Sequence, residues 1–325
     1  MCAQTESSAD SNPLVSVVIP TYRRNENLPH AVESVANQSY GNIELLIVDD
    51  GSPTPITETL THVPDDRLTR VNFIRHSTNR GANVARNSGI RAATGEYIAF
   101  LDDDDWWDEE KVKKQVDTFT HAGSDVAVVY TGLRASGPNG TTVTHPSAEG
   151  DVLGDLLRGV NFGQFSSVMV RATAIDDAGL PDERFPAWQD REWLFRLAQH
   201  GEFKPVREVL TYRQTGGENS ISSNFEAKRD VAYPMFIDKH YSLAREHGWY
   251  SARLFTASLR HILGRSAIQS GNYTEARKHF LLSFLANPLY KPVYPHLLAS
   301  LGGKQSYESV AFLRRKLVSL CSVFR

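Results

Sequence analysis

Four consecutive aspartates, Asp102 to Asp105, stand in FLDDDDWW (residues 100–107) between an apolar run and two tryptophans. Adjacent carboxylates repel one another, and against aromatic surface the repulsion is screened less than in open water. A cation belongs there, and the residue chemistry favours a hard divalent ion, which takes oxygen ligands. The alternative is a solvated strand-to-helix turn, with Asp108 as helix N-cap and Glu109 and Glu110 favoured by the helix dipole. That explains Asp108 but not four aspartates ending a buried strand. Asp49-Asp50-Gly51-Ser52 suits a ligand-facing edge or an ordinary turn. The Arg-rich stretch NRGANVARNSGIR (79–91) is either a solvated helix face or a surface for phosphate.

The elements that must position these residues follow from apolar periodicity. LVSVVIP (14–20), IELLIVDD (43–50), VNFIRH (71–76) and YIAFLDD (97–103) read as strands. Between them come a helix with Leu28, Val32 and Val35 on one face and a Gly-entered helix near 81–93; another follows from about Glu109, through Val112, Val116 and Phe119. This alternation predicts an α/β fold with a mainly parallel sheet covered on both faces, whose ligands bind at the carboxyl ends of the strands. Both acidic clusters fall on that edge. Further strands are expected at 126–133 and 166–172 and a helix through QDREWLFRLAQHG (189–201), and the last hundred residues read as helical. GNYTEARKHFLLSFLANP (271–288) resembles a single tetratricopeptide-type helix pair, with Ala276, Phe280 and Phe284 at helical spacing, and is better read as a packed helical hairpin.

A chain of 325 residues, 41% hydrophobic and 22% charged, is long enough for one large domain or two smaller ones. Its net charge of −3 and the lack of a basic stripe argue against nucleic acid as a partner. Cys2 and Cys321 form neither a disulfide framework nor a metal spacing, and the start shows no secretory signal, so a cytoplasmic protein is expected, with a frayed tail over residues 1–12. At the other end, Val310, Leu313, Leu317, Leu320 and Phe324 share a helical face beside Arg314, Arg315 and Lys316. That pattern suits packing on the domain or a peripheral contact of 307–325 with the inner face of an anionic membrane.

In series, VSVVIPTYRR, ELLIVDDGS, NRGANVARNSGIRAATGEYIAFLDDDD, LPDERFPAWQDREWLFRLAQHG and LTYRQTGGENSIS resemble the inverting nucleotide-sugar glycosyltransferases of family 2, which have the GT-A fold, over about residues 14–223. The resemblance implies a GT-A domain over 13–225, with a nucleotide-binding half to about 125 and an acceptor half at 126–225, then a helical C-terminal region at 226–325. It implies that Pro20, Thr21 and Tyr22 line the nucleotide base, Tyr22 offering a stacking face. Asp50 matches the carboxylate that accepts the imide N–H of a uridine or thymidine donor. Asp102 and Asp103 match the donor-facing part of the DxD motif, and Asp104 the ligand of Mn2+ or Mg2+. Arg86 and Arg213 are expected toward the diphosphate, Arg213 being nearly as well read as a loop ion-pair residue.

Asp190 matches the catalytic base, although by residue type alone a helix N-cap is the simpler reading. Two departures stand out: Gln189 where relatives carry Glu, and Thr215 where many carry His. The implied activity is metal-dependent transfer of a hexosyl group from a UDP-, dTDP- or GDP-sugar, with the uridine or thymidine type favoured, to a glycan or lipid-linked acceptor. A catalytically inactive nucleotide-sugar-binding scaffold and a metal-dependent phosphoryl-transfer enzyme are the alternatives.

Overall fold

The computed structural model describes residues 12–24, 26–60, 63–138, 140–160, 162–215 and 224–306. The chain divides into two compact units, the first Met1–Val152, Phe162–Glu183 and Gln189–Gly217, the second Leu153–Asn161, Arg184–Trp188 and Glu218–Arg325.

The first unit opens with β1 (Val15–Thr21), α1 (Leu28–Ala36), β2 (Ile43–Asp49), α2 (Ile56–Thr59), β3 (Arg70–Arg75), α3 (Ala82–Ala92) and β4 (Tyr97–Phe100). It continues with β5 (Asp105–Trp107), α4 (Lys111–Ala122), β6 (Val126–Gly137) and β7 (Gly140–Thr144). After α5 (Leu153–Leu157), which belongs to the second unit, come β8 (Val168–Arg171), α6 (Ala172–Ala178), α7 (Gln189–Leu197) and β9 (Glu202–Gln214). The strands form one sheet in the order β3-β2-β1-β4-β8-β6-β9-β5, with β7 on β6. Every residue of β1 and β2 is buried, as their unbroken apolar runs require of strands covered on both faces. Leu28, Val32 and Val35 of α1 join the core formed with β1 and β2.

The parallel character expected from the sequence holds across β3, β2, β1 and β4. Beyond β4 the sheet is mixed: β8 runs antiparallel to both β4 and β6, and β5 antiparallel to β9. The strand read over 97–103 ends at Phe100, because Asp105 N–H bonds back to the Asp102 carbonyl (3.0 Å) and turns the chain into β5. The helix read from Glu109 begins at Lys111; Asp108 is not its N-cap but accepts from Glu110 N–H at 3.2 Å in the turn before it.

The second unit adds α8 (Phe225–Ala227), α9 (Tyr233–Glu246), α10 (Trp249–Gln269), α11 (Tyr273–Ala286) and α12 (Val293–Leu301) to α5. The segment 271–288 contributes one helix, α11, whose partner is α10, rather than a pair of its own. Phe280 is fully buried there, and a Cβ on Gly264 would come within 2.4 Å of its ring, so that glycine sets how closely the two helices approach. Among the described residues no helix is long and apolar enough to cross a membrane. The tail read over 1–12 lies outside the described residues except for Asn12, whose carbonyl accepts from Asn42 (2.7 Å). Segment 307–325 lies wholly outside them.

Candidate active site

Asp102 to Asp104 lie in the turn between β4 and β5 and Asp105 opens β5; Asp103 faces the end of β1 through Thr21. Two of the four carboxylates are neutralised by arginine: Arg86 Nη2 lies 2.6 Å from Asp102 Oδ1, and Arg24 Nη1 bonds Asp104 Oδ2. The other two have raised pKa values. Burial pushes Asp103 up to about 7; the Thr21 hydroxyl at 2.7 Å and Arg24 only partly offset it, while Asp104 and Asp102 add to it. Burial, reinforced by the charge of Asp102, holds Asp105 well above the usual carboxylate range, although Ser166 donates to its Oδ2 at 2.6 Å. Asp102 goes the other way: burial would raise it, but Arg86, with Arg213 and Arg24, keeps it below the usual range. The repulsion within the cluster is therefore relieved in part by two guanidinium groups, and burial raises the pKa of the two carboxylates they do not pair.

The donor set suits a divalent metal. Asp102, Asp104 and Asp105 each bring a carboxylate oxygen within 4.8 Å of the others. Asp105 Oδ1 is buried with no hydrogen-bond partner among the described residues, an acceptor whose desolvation a cation would repay. Arg213 does not sit in a loop; it lies in β9 opposite Asp105. Its Nη1 donates to Gln164, whose Nε2 donates to Asp105 Oδ2 (3.0 Å), and its buried Nε has no partner among the described residues.

Pro20 and Thr21 are the last residues of β1, which runs one residue beyond the strand read over 14–20. Pro20 is tolerated in this interior strand because β1–β4 pairing ends at Val18–Phe100, so no ladder bond needs its missing N–H. Tyr22 follows, with the Arg23 guanidinium 5.0 Å from its ring centre. Asp50 is nearly fully buried, and its carboxylate accepts from Gly81 N–H (2.7 Å) and Arg80 N–H (3.0 Å) at the start of α3 and bonds His76 Nδ1 (2.7 Å). Asp49, by contrast, is structural: it accepts from Ser52 N–H (2.8 Å) and pairs with Arg75.

Asp190 lies in the first turn of α7, half-buried, and accepts from the adjacent Arg191 N–H at 2.7 Å. It is inside the helix, not at the N-cap. Its neighbour Gln189 accepts from Arg86 Nη1 at 3.1 Å, and this bond ties the start of α7 to the aspartate turn. Glu192, two residues on, is fully buried and paired with Arg196, which donates to the carbonyls of Gly179 and Leu180 at 3.2 and 2.8 Å; it anchors α7 on α6. Arg24 was not singled out from the sequence, and neither were Gln164 or Ser166. Four adjacent carboxylates signal a missing counter-charge, but nothing in the local spacing says that residue 24 supplies it.

A mixed α/β sheet with an acidic turn beside the end of its first strand is the GT-A fold. Solved GT-A structures share the fold: S. aureus TarS 1–349 in complex with UDP-GlcNAc (TM-score 0.57, 17% identity, 91% of this chain and 92% of that one) is one. The mannosyltransferase PcManGT from Pyrobaculum calidifontis, in complex with GDP-Man and Mn2+, is another (TM-score 0.55, 16% identity, 93% and 86%). Residues 16–170 match the family model for glycosyl transferase family 2. The Escherichia coli UDP-Glc:alpha-D-GlcNAc-diphosphoundecaprenol beta-1,3-glucosyltransferase WfaP is 37% identical over 227 residues, 65% of this chain and 80% of its own length. The putative teichuronic acid biosynthesis glycosyltransferase TuaG of Bacillus subtilis is 32% identical over 216 residues, 65% and 82% respectively. The chain belongs to glycosyltransferase family 2 and is a nucleotide-sugar glycosyltransferase.

Proposed function

We propose that this enzyme transfers a hexosyl group, with inversion, from a uridine or thymidine diphosphate-sugar to a hydroxyl of a glycan or lipid-linked acceptor in cell-surface polysaccharide assembly. The observation that carries the reading is the Asp102–Asp105 turn, held by arginines against the end of β1. The names of WfaP and TuaG support the acceptor class. We assign residues 13–225 to the transferase domain and 226–325 to a helical region.

Tyr22 is assigned to the base, and Asp50 to its imide N–H, taken on a carboxylate whose position the α3 amides fix. Asp102, Asp104 and Asp105 are assigned to Mn2+ or Mg2+, with Asp103, held by Thr21, facing the donor. A metal bound there supplies Lewis-acid stabilisation of the leaving diphosphate. Arg86 positions Asp102, and Arg213 faces the diphosphate through its Nε, which has no partner among the described residues. Asp190, at the start of α7, takes the acceptor proton as the hydroxyl attacks the anomeric carbon and the nucleoside diphosphate departs. The enzyme is assigned to the cytoplasm, at the inner face of the membrane through 307–325. Truncation after residue 306 then releases it from acidic liposomes with donor binding intact.

The test is calorimetric binding of a panel of UDP-, dTDP- and GDP-sugars with and without manganese, followed by transfer assays on the donors that bind. Metal-enhanced binding of one donor with transfer supports the assignment. Donor binding without transfer to any acceptor indicates a scaffold, and release of inorganic phosphate indicates phosphoryl transfer.

A further inference from the structure

We propose that Arg24 is an internal counter-ion that a divalent metal must displace, so that this arginine sets how tightly the donor-free enzyme holds metal. The inference rests on the assignment of a metal to the aspartate turn. Arg24 Nη1 bonds Asp104 Oδ2, and its Nε lies 3.7 Å from Asp103 Oδ1. Asp104 is also one of the three carboxylates whose oxygens converge within 4.8 Å. A guanidinium bonded to that carboxylate and a cation coordinated by it compete for the same negative charge and lone pairs.

The backbone holds Arg24 in place from both sides. Arg23 has a left-handed φ of 57°, unusual for a residue with a side chain, and its N–H donates to Ser52 Oγ at 3.0 Å. The Arg24 carbonyl in turn accepts from Asn27 and Leu28 N–H, both at 3.2 Å, at the entry to α1. Neither anchor uses the guanidinium. The side chain is one-third exposed, and an ion pair this open to water exchanges at little cost.

Arg86 is differently placed. It is buried, bonds Asn83 and Gln189 as well as Asp102, and lies 4.0 Å from the centre of the Phe165 ring. Of the two arginines that form ion pairs with the cluster among the described residues, Arg24 is the one free to leave. Once displaced it stays tethered beside the turn, where a diphosphate would give it a new anionic partner. Arg24 thus opposes metal before the donor arrives and favours the ternary complex afterwards.

The test is a manganese titration of the full-length protein without nucleotide, read by the EPR signal of free Mn2+. Arg24→Gln is expected to bind Mn2+ roughly tenfold more tightly than wild type, the size of effect that a neighbouring like charge exerts on a charged site. Arg24→Lys keeps the charge and stays within about threefold of wild type. Added UDP tightens manganese binding more in wild type than in Arg24→Gln. Equal or weaker binding by Arg24→Gln, with Asp104→Asn still losing metal, overturns the counter-ion role and leaves the metal assignment standing. Manganese binding that Asp104→Asn leaves unchanged overturns both.

Discussion

Arg86 Nη1 donates to Gln189 at 3.1 Å across 103 residues of sequence, and Arg86 Nη2 holds Asp102 at 2.6 Å. One buried guanidinium therefore links the aspartate turn to the helix that carries Asp190. The neutral side chain at 189 follows from this geometry: Asp102 already matches the charge of Arg86, and a second carboxylate would compete for it. Gln189→Ala leaves Nη1 only the longer bond to Asn83 (3.2 Å) and is expected to cost about 1–2 kcal/mol in urea unfolding, the penalty of an under-satisfied buried donor. Because the start of α7 loosens with it, kcat should fall while donor affinity holds. Unchanged stability would mean that the bond is incidental.

Asp104→Asn tests the metal directly. The Arg24–Asp104 pair is part-exposed, and such pairs contribute about 0–1 kcal/mol, so the melting temperature should move little. Metal-stimulated turnover should disappear. Wild-type turnover by the mutant at matched manganese would place the metal elsewhere.

How much of this was legible in the sequence depends on how locally each feature is specified. β1 and β2 read clearly because every residue is buried, which demands an unbroken apolar run. β9 did not: EFKPVREVLTYRQ mixes charges and a proline with apolar residues, is buried and exposed without a regular period, and pairs with β6 through shifts of register. β5 has only three residues, too few to show a period. Within the site, the aspartate cluster and its demand for a counter-charge were read from the run of residues 102–105 itself. Arg24, 80 residues away, was not, and neither was the Gln164–Ser166 pair that holds Asp105, because such partners are chosen by the turn of the chain in space.

The helical unit should be acid-sensitive. His261 is pushed down to about 3 by burial, then by His296 and Arg265. His279 is pushed down to about 4 by burial and Arg260, against the pull of Glu275. Unfolded, both titrate near 6.5, so between that pH and about 4 the unfolded chain binds protons that the folded unit does not. Stability is then fully present above 6.5 and falls as the pH drops, by about 1.4 kcal/mol per pH unit for each histidine. Urea midpoints measured between about pH 5 and 7 should show this slope, and His279→Gln should reduce it by about half, leaving the share of His261. Equal slopes in mutant and wild type would remove His279 from the account.

Asp190→Asn separates enzyme from scaffold. A carboxylate that takes the acceptor proton acts mainly as the hydroxyl attacks, so its loss should leave donor affinity intact while transfer falls by roughly 10²–10⁴-fold. The structure sharpens the stability expectation. Asp190 accepts from the adjacent Arg191 N–H at 2.7 Å, within the first turn of α7, and Asn keeps an oxygen for that bond. What the amide loses is the favourable placement of a negative charge near a helix N-terminus, worth about 0.3–1 kcal/mol. A small drop in melting temperature with a large drop in transfer is therefore the expected signature. A large loss of stability would instead make Asp190 a structural residue. Near-normal transfer by a well-folded mutant would put the base elsewhere, and not at Glu192, whose carboxylate is fully buried and committed to Arg196 at 2.9 Å.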